Sequence, residues 1–164
     1  MFRFATMEDF SAVDQLILKK AKEFQVAGKS QWVKYLEPSR SDYVRHDLTN
    51  GTVFVYERDQ QIVGAVSLIP PTDWDHNLWD DPDGAVYLHR LVTDSSAKGE
   101  RIGERLMQHA LANTSSTIRL DCVADNAFLN NYYPRFGFHY IGERNGFSLF
   151  EKRLDLDVTS TFTL

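Results

Sequence analysis

The chain has 164 residues, of which 43% are hydrophobic, so it is long enough for one well-packed domain and short for two. Its formal net charge of -5 disfavours a surface that neutralises nucleic-acid phosphates, and no stretch approaches the roughly 20 apolar residues of a membrane span. The N-terminus lacks the apolar run of a signal peptide, and the single cysteine, Cys122, cannot form an internal disulfide. We therefore expect a cytoplasmic protein without nucleic-acid or membrane partners, with one domain over residues 1–154 and a C-terminal tail at 155–164.

The first half of the chain predicts a strand, three helices and a β-hairpin. A short opening strand precedes a helix over residues 6–24, with Thr6 at its N-cap. Residues 30–51 predict two short helices, because Pro38 interrupts the helical pattern. Residues 52–71 alternate β-branched and aromatic side chains around the polar turn "RDQQ", which predicts two paired strands.

An acidic segment follows the hairpin. Residues 71–84 read "PTDWDHNLWDDPDG" and contain five aspartates and two tryptophans. Such a segment can attract a cationic partner through its field and stack it on the indole rings. The same composition also fits a solvated connection whose tryptophans pack on the core, and the sequence leaves both interpretations open.

The second half of the chain predicts a strand, an amphipathic helix, another strand, a short helix and two closing strands. The apolar residues of the amphipathic helix recur with the spacing of one helix face. In chain order, the predicted ranges are 85–94, 95–110, 117–125, 126–137, 138–144 and 147–154.

Two glycines, Gly99 and Gly103, stand where the amphipathic helix begins. Glycine lowers helix stability by about 1 kcal/mol relative to alanine, so this pair indicates a steric or functional cause. The first N–H groups of a helix have no intrahelical partner and can bind a phosphate that no side chain blocks. The alternative is a turn in which Gly99 has a positive φ and Gly103 packs on a strand. The dinucleotide-binding and P-loop patterns are both absent.

The residues from Lys98 to Gly103 read K-G-E-R-I-G. This segment resembles the acyl-CoA motif [RQ]-x-x-G-x-[GA] of the GCN5-related N-acetyltransferase (GNAT) family, which also opens a helix after a central strand. Lys98 replaces the usual arginine or glutamine, and Arg101 stands where the family usually has glycine. Lysine still offers a cation to phosphate, whereas the Arg101 side chain must point outward to leave the backbone N–H accessible.

A second segment strengthens the resemblance. Residues 125–138, "DNAFLNNYYPRFGF", are similar to the family's other CoA-contacting segment, with Asn126, Asn130, Tyr133 and Gly137 in the family's spacing. The two motifs occur in family order with one predicted strand between them. More loosely, the resemblance extends over the first 154 residues.

The resemblance implies an α/β (α+β) fold with a mixed, mostly antiparallel sheet of about seven strands and about four helices on its faces. The sheet would splay between the strands at 85–93 and 117–123, and acetyl-CoA would enter this wedge as cosubstrate, without a metal. Its pantetheine arm would pair with the backbone of Leu91, Val92 and Thr93. The pyrophosphate would lie on Lys98, Gly99, Glu100, Arg101, Ile102, Gly103 and Glu104, and further cofactor contacts would come from Asn126, Asn130 and Tyr133.

The implied reaction needs a base, an oxyanion donor and an acid. An amine with a pKa near 10.4 is protonated at neutral pH, so only about one molecule in a thousand can attack. His89 is the first candidate for the base, because histidine titrates near neutrality; a packed histidine and a base from Asp73 or Asp75 are the alternatives. The backbone N–H at Val92 would stabilise the oxyanion, and Tyr133 would protonate the CoA sulfur.

We therefore predict an N-acetyltransferase that acts on a primary amine of a small cationic metabolite by direct attack in a ternary complex. The alternatives are a peptide or protein amine as acceptor and a non-catalytic CoA-binding regulatory module. A homodimer stays open. The residues predicted to bind the acceptor are Trp32, Tyr35, Asp73, Trp74 and Asp75.

Overall fold

A computed structural model describes residues 1–153, so the tail predicted at 155–164 lies outside the described residues. In the described chain, seven strands form one mixed sheet, and five α-helices and four 3-10 helices join them. The predicted α+β class with a mixed sheet of about seven strands is confirmed. The α-helices number five rather than about four.

The strands are β1 Phe2–Phe4, β2 Thr52–Arg58, β3 Gln61–Ile69, β4 Ala85–Thr93, β5 Thr117–Val123, β6 His139–Arg144 and β7 Phe147–Lys152. The α-helices are α1 Phe10–Val26, α2 Arg40–Asn50, α3 Asp73–Leu78, α4 Ile102–Ala112 and α5 Ala127–Tyr132. The 3-10 helices are Met7–Asp9, Val33–Leu36, Ser95–Ala97 and Tyr133–Phe136. None of the helices within residues 1–153 has the length and apolar character needed to cross a bilayer.

The strands follow the order β1-β2-β3-β4-β5-β7-β6 along the sheet. Antiparallel register joins β1 to β2, β2 to β3, β5 to β7 and β6 to β7. By contrast, β4 pairs with β5 in parallel, and the register runs from Ala85↔Thr117 to Tyr87↔Arg119. This pairing covers the beginning of each strand, and both strands continue beyond it.

The described chain divides into two compact units. The first unit contains Met1–Ile69 and His89–Ala112, and the second contains Pro70–Leu88 and, of the residues described, 113–153. Strand β4 runs through both, since the boundary lies between its residues Leu88 and His89. One domain over residues 1–154 stays a prediction.

The first unit is built on the hairpin of β2 and β3. Asp59 and Gln60 close this hairpin with φ values of 52° and 66°, the positive values of a type I′ turn, whose twist matches that of the strands. Helices α1 and α2 bury their apolar faces against this hairpin. The core so formed contains Val13, Leu16, Ile17, Ala21, Tyr35, Val44, Val53, Val55, Ala65 and Val92.

Gly64 in β3 allows α4 to approach the hairpin closely. A Cβ atom added at Gly64 would lie 2.8 Å from both the Cγ2 of Ile102 and the Cδ1 of Leu106. The apolar face of α4, which includes Met107 and Ala110, is buried as its periodicity predicts. Direct contact at Gly64 therefore fixes the beginning of α4 against the strand.

In the second unit, Arg119 of β5 ties the end of the acidic segment to the sheet. Its guanidinium donates hydrogen bonds to the Asp81 carbonyl at 2.8 Å, the Glu151 carboxylate at 2.9 Å and the Tyr87 hydroxyl at 2.9 Å. The Tyr87 hydroxyl donates in turn to the Pro82 carbonyl at 2.7 Å. The residues that precede β4 are thus held by a mostly buried polar network.

The acidic segment contains a helix, α3, where the sequence analysis expected a loop. Thr72 and Asp75 form a capping box, in which the backbone N–H and the hydroxyl of Thr72 donate to the Asp75 carboxylate at 2.9 and 3.2 Å. The spacing of a threonine and an acidic residue three positions later is the known signal for such a helix start. The density of aspartates and the shortness of the helix obscured it.

Candidate active site

The loop between β4 and α4 adopts left-handed backbone conformations at two positions. Gly99 has a φ of 89° and Arg101 a φ of 57°. A non-glycine residue in this region costs about 1–2 kcal/mol, which gives a physical reason for the glycine that the family motif usually has in place of Arg101. The Arg101 side chain is exposed to solvent, and space is open around the Cβ position of Gly99.

The backbone amides of this loop fall into two groups. The N–H groups of Lys98 and Glu100 donate to carbonyls within the loop, each at 3.2 Å, so these two amides already have acceptors. At the beginning of α4, the N–H of Arg105 donates to the Arg101 carbonyl at 3.0 Å. The amides of Ile102 and Gly103 come before this bond and have no place in the hydrogen-bond ladder of the helix. These two amides are thus among the first N–H groups of α4, and their contact with an anion stays a prediction.

Charged side chains surround the loop. Lys98 is exposed and supplies a cation. The Glu100 carboxylate, which would repel a phosphate, forms an ion pair with Arg58 from the hairpin. Glu104 places a second carboxylate in the first turn of α4, where it stabilises the helix but also opposes an anion.

Asp94 holds the turn that leads from β4 into this loop. Its backbone N–H donates to the Val63 carbonyl at 2.8 Å, and its carboxylate accepts from the Ser96 N–H at 2.9 Å and pairs with Lys19 at 3.0 Å. The Ser96 hydrogen bond, together with Lys19, lowers the pKa of Asp94 to about 2, against the opposing effect of burial. Asp94 was not among the predicted site residues, although an aspartate before two serines is a helix-capping signal.

The second half of β4 carries the predicted base and the predicted oxyanion donor. His89 is half-buried, and the Val92 side chain is buried in the core of the first unit. Between them, Arg90 has a φ of 53°, a left-handed conformation in the middle of a strand. Such a residue interrupts the regular alternation of peptide planes, as β-bulges do.

The Arg90 side chain is buried, and Asp47 of α2 holds it. Nε and Nη2 of Arg90 each lie 2.6 Å from a carboxylate oxygen of Asp47, and Nη1 lies 3.2 Å from the Tyr35 hydroxyl. The Ser67 hydroxyl donates to the same carboxylate at 2.7 Å. Burial opposes the charge, but the hydrogen bonds and charge of Asp47 raise the pKa of Arg90 above its ordinary value. No local pattern could reveal this pair, because its members are 43 residues apart.

Tyr133, the predicted acid, lies in the 3-10 helix that follows α5 and is 8% exposed. Its ring contacts those of Phe138 and Phe150, with centroid distances of 6.3 and 5.9 Å. Burial raises the pKa of Tyr133 above its ordinary value, and nearby Cys122, Tyr132 and Asp121 act in the same direction. The hydroxyl is protonated at neutral pH, as it would be at the ordinary pKa of tyrosine, and its role as an acid stays a prediction.

Asn126 and Asn130 fix the junction between β5 and α5. The Asn126 side chain caps α5 by accepting from the Leu129 N–H at 3.0 Å. The Asn130 amide donates to the carbonyls of Val123, Ala124 and Asn126 at 2.8 to 3.3 Å. These contacts account for both residues structurally, and their contact with a cofactor stays a prediction.

Two of the predicted acceptor-binding residues, Trp32 and Tyr35, pack together in the first unit, with centroids 5.1 Å apart and an edge-to-face geometry. Trp32 has a φ of 62°, whereas Tyr35 is buried with its hydroxyl facing Arg90. Trp32 is the more exposed of the two rings, so it is the better candidate for contact with a ligand.

The other three predicted acceptor-binding residues lie on α3 in the second unit. Asp73 is exposed, and the indole N–H of Trp74 donates to the Asp121 carboxylate at 3.0 Å. Asp75 is fully buried in the capping box with Thr72. These contacts account for the Asp75 carboxylate structurally, and its role as a binding group or base stays a prediction.

The predicted site residues are distributed over both units. The first unit contains Trp32, Tyr35, His89, Leu91, Val92, Thr93, Lys98, Gly99, Glu100, Arg101, Ile102, Gly103 and Glu104. The second contains Asp73, Trp74, Asp75, Asn126, Asn130 and Tyr133. Within residues 1–153, no group of three or more His, Cys, Asp or Glu side chains is placed to hold a metal ion.

Comparisons with known proteins identify the family. The model of the acetyltransferase (GNAT) family matches residues 18–138. The uncharacterized N-acetyltransferase YesJ of Bacillus subtilis (strain 168) is 33% identical over 159 residues, which cover 92% of this chain and 88% of YesJ. A GNAT-family acetyltransferase structure from Listeria monocytogenes 4b F2365 has a TM-score of 0.74 and 28% identity, with 93% of each chain covered.

A more distant structure shows the same fold. The PaiA N-acetyltransferase of Thermoplasma acidophilum, solved in complex with coenzyme A, has a TM-score of 0.69 and 16% identity, covering 93% of this chain and 97% of that one. Together with the family match over most of the chain, these relatives explain the two sequence motifs. The chain belongs to the acetyltransferase (GNAT) family and is an acyl-CoA-dependent acetyltransferase.

Proposed function

We propose that the protein transfers the acetyl group of acetyl-CoA to a primary amine of a small cationic metabolite, by direct attack in a ternary complex. The observation that carries the proposal is the loop before α4, in which the amides of Ile102 and Gly103 stand at a helix N-terminus beside exposed Lys98. The coenzyme A bound to the Thermoplasma relative supports the cosubstrate.

We expect the diphosphate of the cofactor to lie on this loop. The amides of Ile102 and Gly103 would donate to phosphate oxygens, and Lys98 would add a positive charge. The ion pair with Arg58 offsets the negative charge of Glu100. The backbone from Leu91 to Thr93 would pair with the pantetheine arm in the manner of an added strand.

For the chemical step, His89 would take a proton from the ammonium group so that the nitrogen lone pair can attack the thioester carbon. The backbone N–H at Val92 would stabilise the charge that develops on the carbonyl oxygen. As the C–S bond breaks, Tyr133 would protonate the departing sulfur, while the nitrogen loses its second proton to solvent, from which Tyr133 is reprotonated. The position of Tyr133 in the second motif, four residues before Gly137, supports this role.

The preference for a cationic acceptor rests on side chains of α3. Asp73 is exposed at the beginning of the helix, and Trp74 is 37% exposed beside it. A carboxylate and an indole face are the groups that bind small ammonium ions in proteins. A cytoplasmic place for the reaction belongs to the same proposal and is supported by the free Cys122 thiol, which needs no oxidising compartment.

A thiol-release assay tests the proposal. The protein is incubated with acetyl-CoA and a panel of diamines, amino acids, amine-terminated peptides and a tertiary amine that cannot form an amide, while free CoA is measured. We expect release that depends on a primary amine and is fastest for small dications. Calorimetric binding of CoA without amine-dependent release would instead indicate a regulatory module, and faster release with peptides would overturn the small-metabolite acceptor.

A further inference from the structure

We propose that Asp47 is a positioning residue for the transfer reaction, which acts by holding Arg90 and thereby the irregular backbone of β4. The inference rests on the proposed function, because it concerns the amide that we assign to oxyanion stabilisation. Asp47 lies on α2, and it acts through Arg90 rather than by touching a substrate.

The backbone of β4 is irregular at Arg90. Arg90 has a φ of 53°, and it lies between His89 and Leu91, the residues that we assign to proton transfer and to cofactor pairing. A left-handed residue inside a strand turns the adjoining peptide planes away from their regular directions. The direction of the N–H at Val92, two residues further along, therefore depends on the conformation of Arg90.

Contacts of the Arg90 side chain keep the residue in this conformation. Strained backbone persists only where the surroundings fix it. The Arg90 and Asp47 side chains are 6% and 4% exposed. Nε and Nη2 of Arg90 each lie 2.6 Å from a carboxylate oxygen of Asp47. Ser67 of β3 donates to the carboxylate, so the pair is fastened to the hairpin as well as to α2. The Arg90 guanidinium also lies 5.3 Å from the centre of the Tyr43 ring.

Protein stability alone does not explain the ion pair of Arg90 and Asp47. Desolvation of two charges offsets most of the attraction in a buried ion pair, so apolar residues of similar volume would stabilise the core as well. The presence of this buried ion pair is instead explained by the backbone conformation that it holds in place. Here that conformation is the left-handed backbone of Arg90 in β4, next to the proposed oxyanion donor.

The chain provides a matched control in a second buried carboxylate of the same unit. Asp14 of α1 pairs with Arg40 at 3.2 Å and accepts from the Ser41 hydroxyl at 2.9 Å, but these contacts join α1 to the beginning of α2 and do not involve β4. Asp47→Asn and Asp14→Asn therefore remove the same charge from similar surroundings. Only the first substitution releases Arg90.

Steady-state kinetics and CoA calorimetry on the folded variants test the inference. For Asp47→Asn we expect kcat to fall about tenfold or more, with the Kd of CoA within about threefold of wild type, because the donor moves while the phosphate loop stays. Asp14→Asn should keep kcat within about twofold. Equal losses in the two variants, or no loss in Asp47→Asn, would overturn the positioning role. A wild-type protein without CoA binding or amine-dependent release would overturn the proposed function itself.

A second pair of variants isolates the backbone. In an Asp47→Asn background, Arg90→Gly permits a positive φ without strain, whereas Arg90→Ala does not. Both variants lack the buried charges, so both remain informative even where Asp47→Asn alone fails to fold. We expect the glycine variant to have a kcat at least about threefold above that of the alanine variant. Equal kcat values would show that the left-handed conformation at position 90 is irrelevant to catalysis and would overturn the inference.

Discussion

Replacing Gly64 by alanine tests whether direct contact with β3 sets the position of α4. The new methyl carbon would lie 2.8 Å from the Cγ2 of Ile102 and the Cδ1 of Leu106, whereas carbon atoms in contact are normally about 3.5–4.0 Å apart. Leu106 can rotate its terminal methyl away. The Cγ2 of Ile102 is attached to the β-carbon, so relief there requires a movement of α4 itself.

The expected cost follows from these contacts. Overpacking of this kind costs about 1–3 kcal/mol, and alanine recovers about 0.5–1 kcal/mol of the conformational entropy that glycine loses in a strand. With an overpacking cost in the middle of that range, about 2 kcal/mol, the net destabilisation is about 1–1.5 kcal/mol. At about 2–4 °C per kcal/mol for a chain of this size, the Tm falls by about 2–6 °C. Because the displaced residues include the amides of Ile102 and Gly103, the KM for acetyl-CoA should rise about threefold to tenfold.

Thermal denaturation and acetyl-CoA kinetics measure both effects. Ile102→Ala serves as the matched variant, since it removes the Cγ2 atom that the new methyl group meets. The double variant should lose about 1 kcal/mol less unfolding free energy than the sum of the losses measured for the two single variants. The reasoning would be refuted if the losses in unfolding free energy were additive and Gly64→Ala changed neither the Tm nor the KM for acetyl-CoA.

Three further predictions concern the loop and the proposed acid. Tyr133→Phe should lower kcat about 100-fold and leave the Kd of CoA within about threefold, since the ring that packs on Phe138 is retained; unchanged turnover would remove Tyr133 from the acid role. Arg101→Gly should raise the Tm by about 2–4 °C without raising the KM for acetyl-CoA, because glycine adopts the φ of 57° without strain. Asp94→Asn should destabilise the protein by up to about 2 kcal/mol above pH 5, as measured by urea unfolding. Since the pKa of Asp94 is lowered to about 2, the difference from wild type should persist at neutral pH and shrink as the pH falls from about 4 toward 2.

Periodicity and turn chemistry were sufficient to predict most of the fold. The predicted apolar face of α4 is buried at Ile102, Leu106, Met107 and Ala110. The turn "RDQQ" closes the hairpin that alternation predicted. Gly137, placed at the end of a predicted helix, has the positive φ of 87° that such an end favours. These features are local, so a single sequence contains the information that determines them.

The candidate site was predictable only where its residues are consecutive. The loop from Lys98 to Gly103 and the segment around Tyr133 could be recognised because each is a continuous motif. The pairing of Asp47 with Arg90 depends on chain segments that meet only in the folded structure, and neither residue type indicates it. The capping role of Asp75 was visible in its spacing from Thr72, although its acidic character drew attention to ligand binding instead.

The buried cysteine has a practical consequence for anyone who works with this protein. Burial raises the pKa of the Cys122 thiol to about 12, so at pH 8 only about one folded molecule in ten thousand carries a thiolate there. A maleimide or aromatic disulfide reagent should therefore leave native protein unlabelled and modify each molecule once when it unfolds. The chain thus has a built-in chemical reporter of its own denaturation, and the same reagent that counts liberated coenzyme A will also reveal an unfolded preparation.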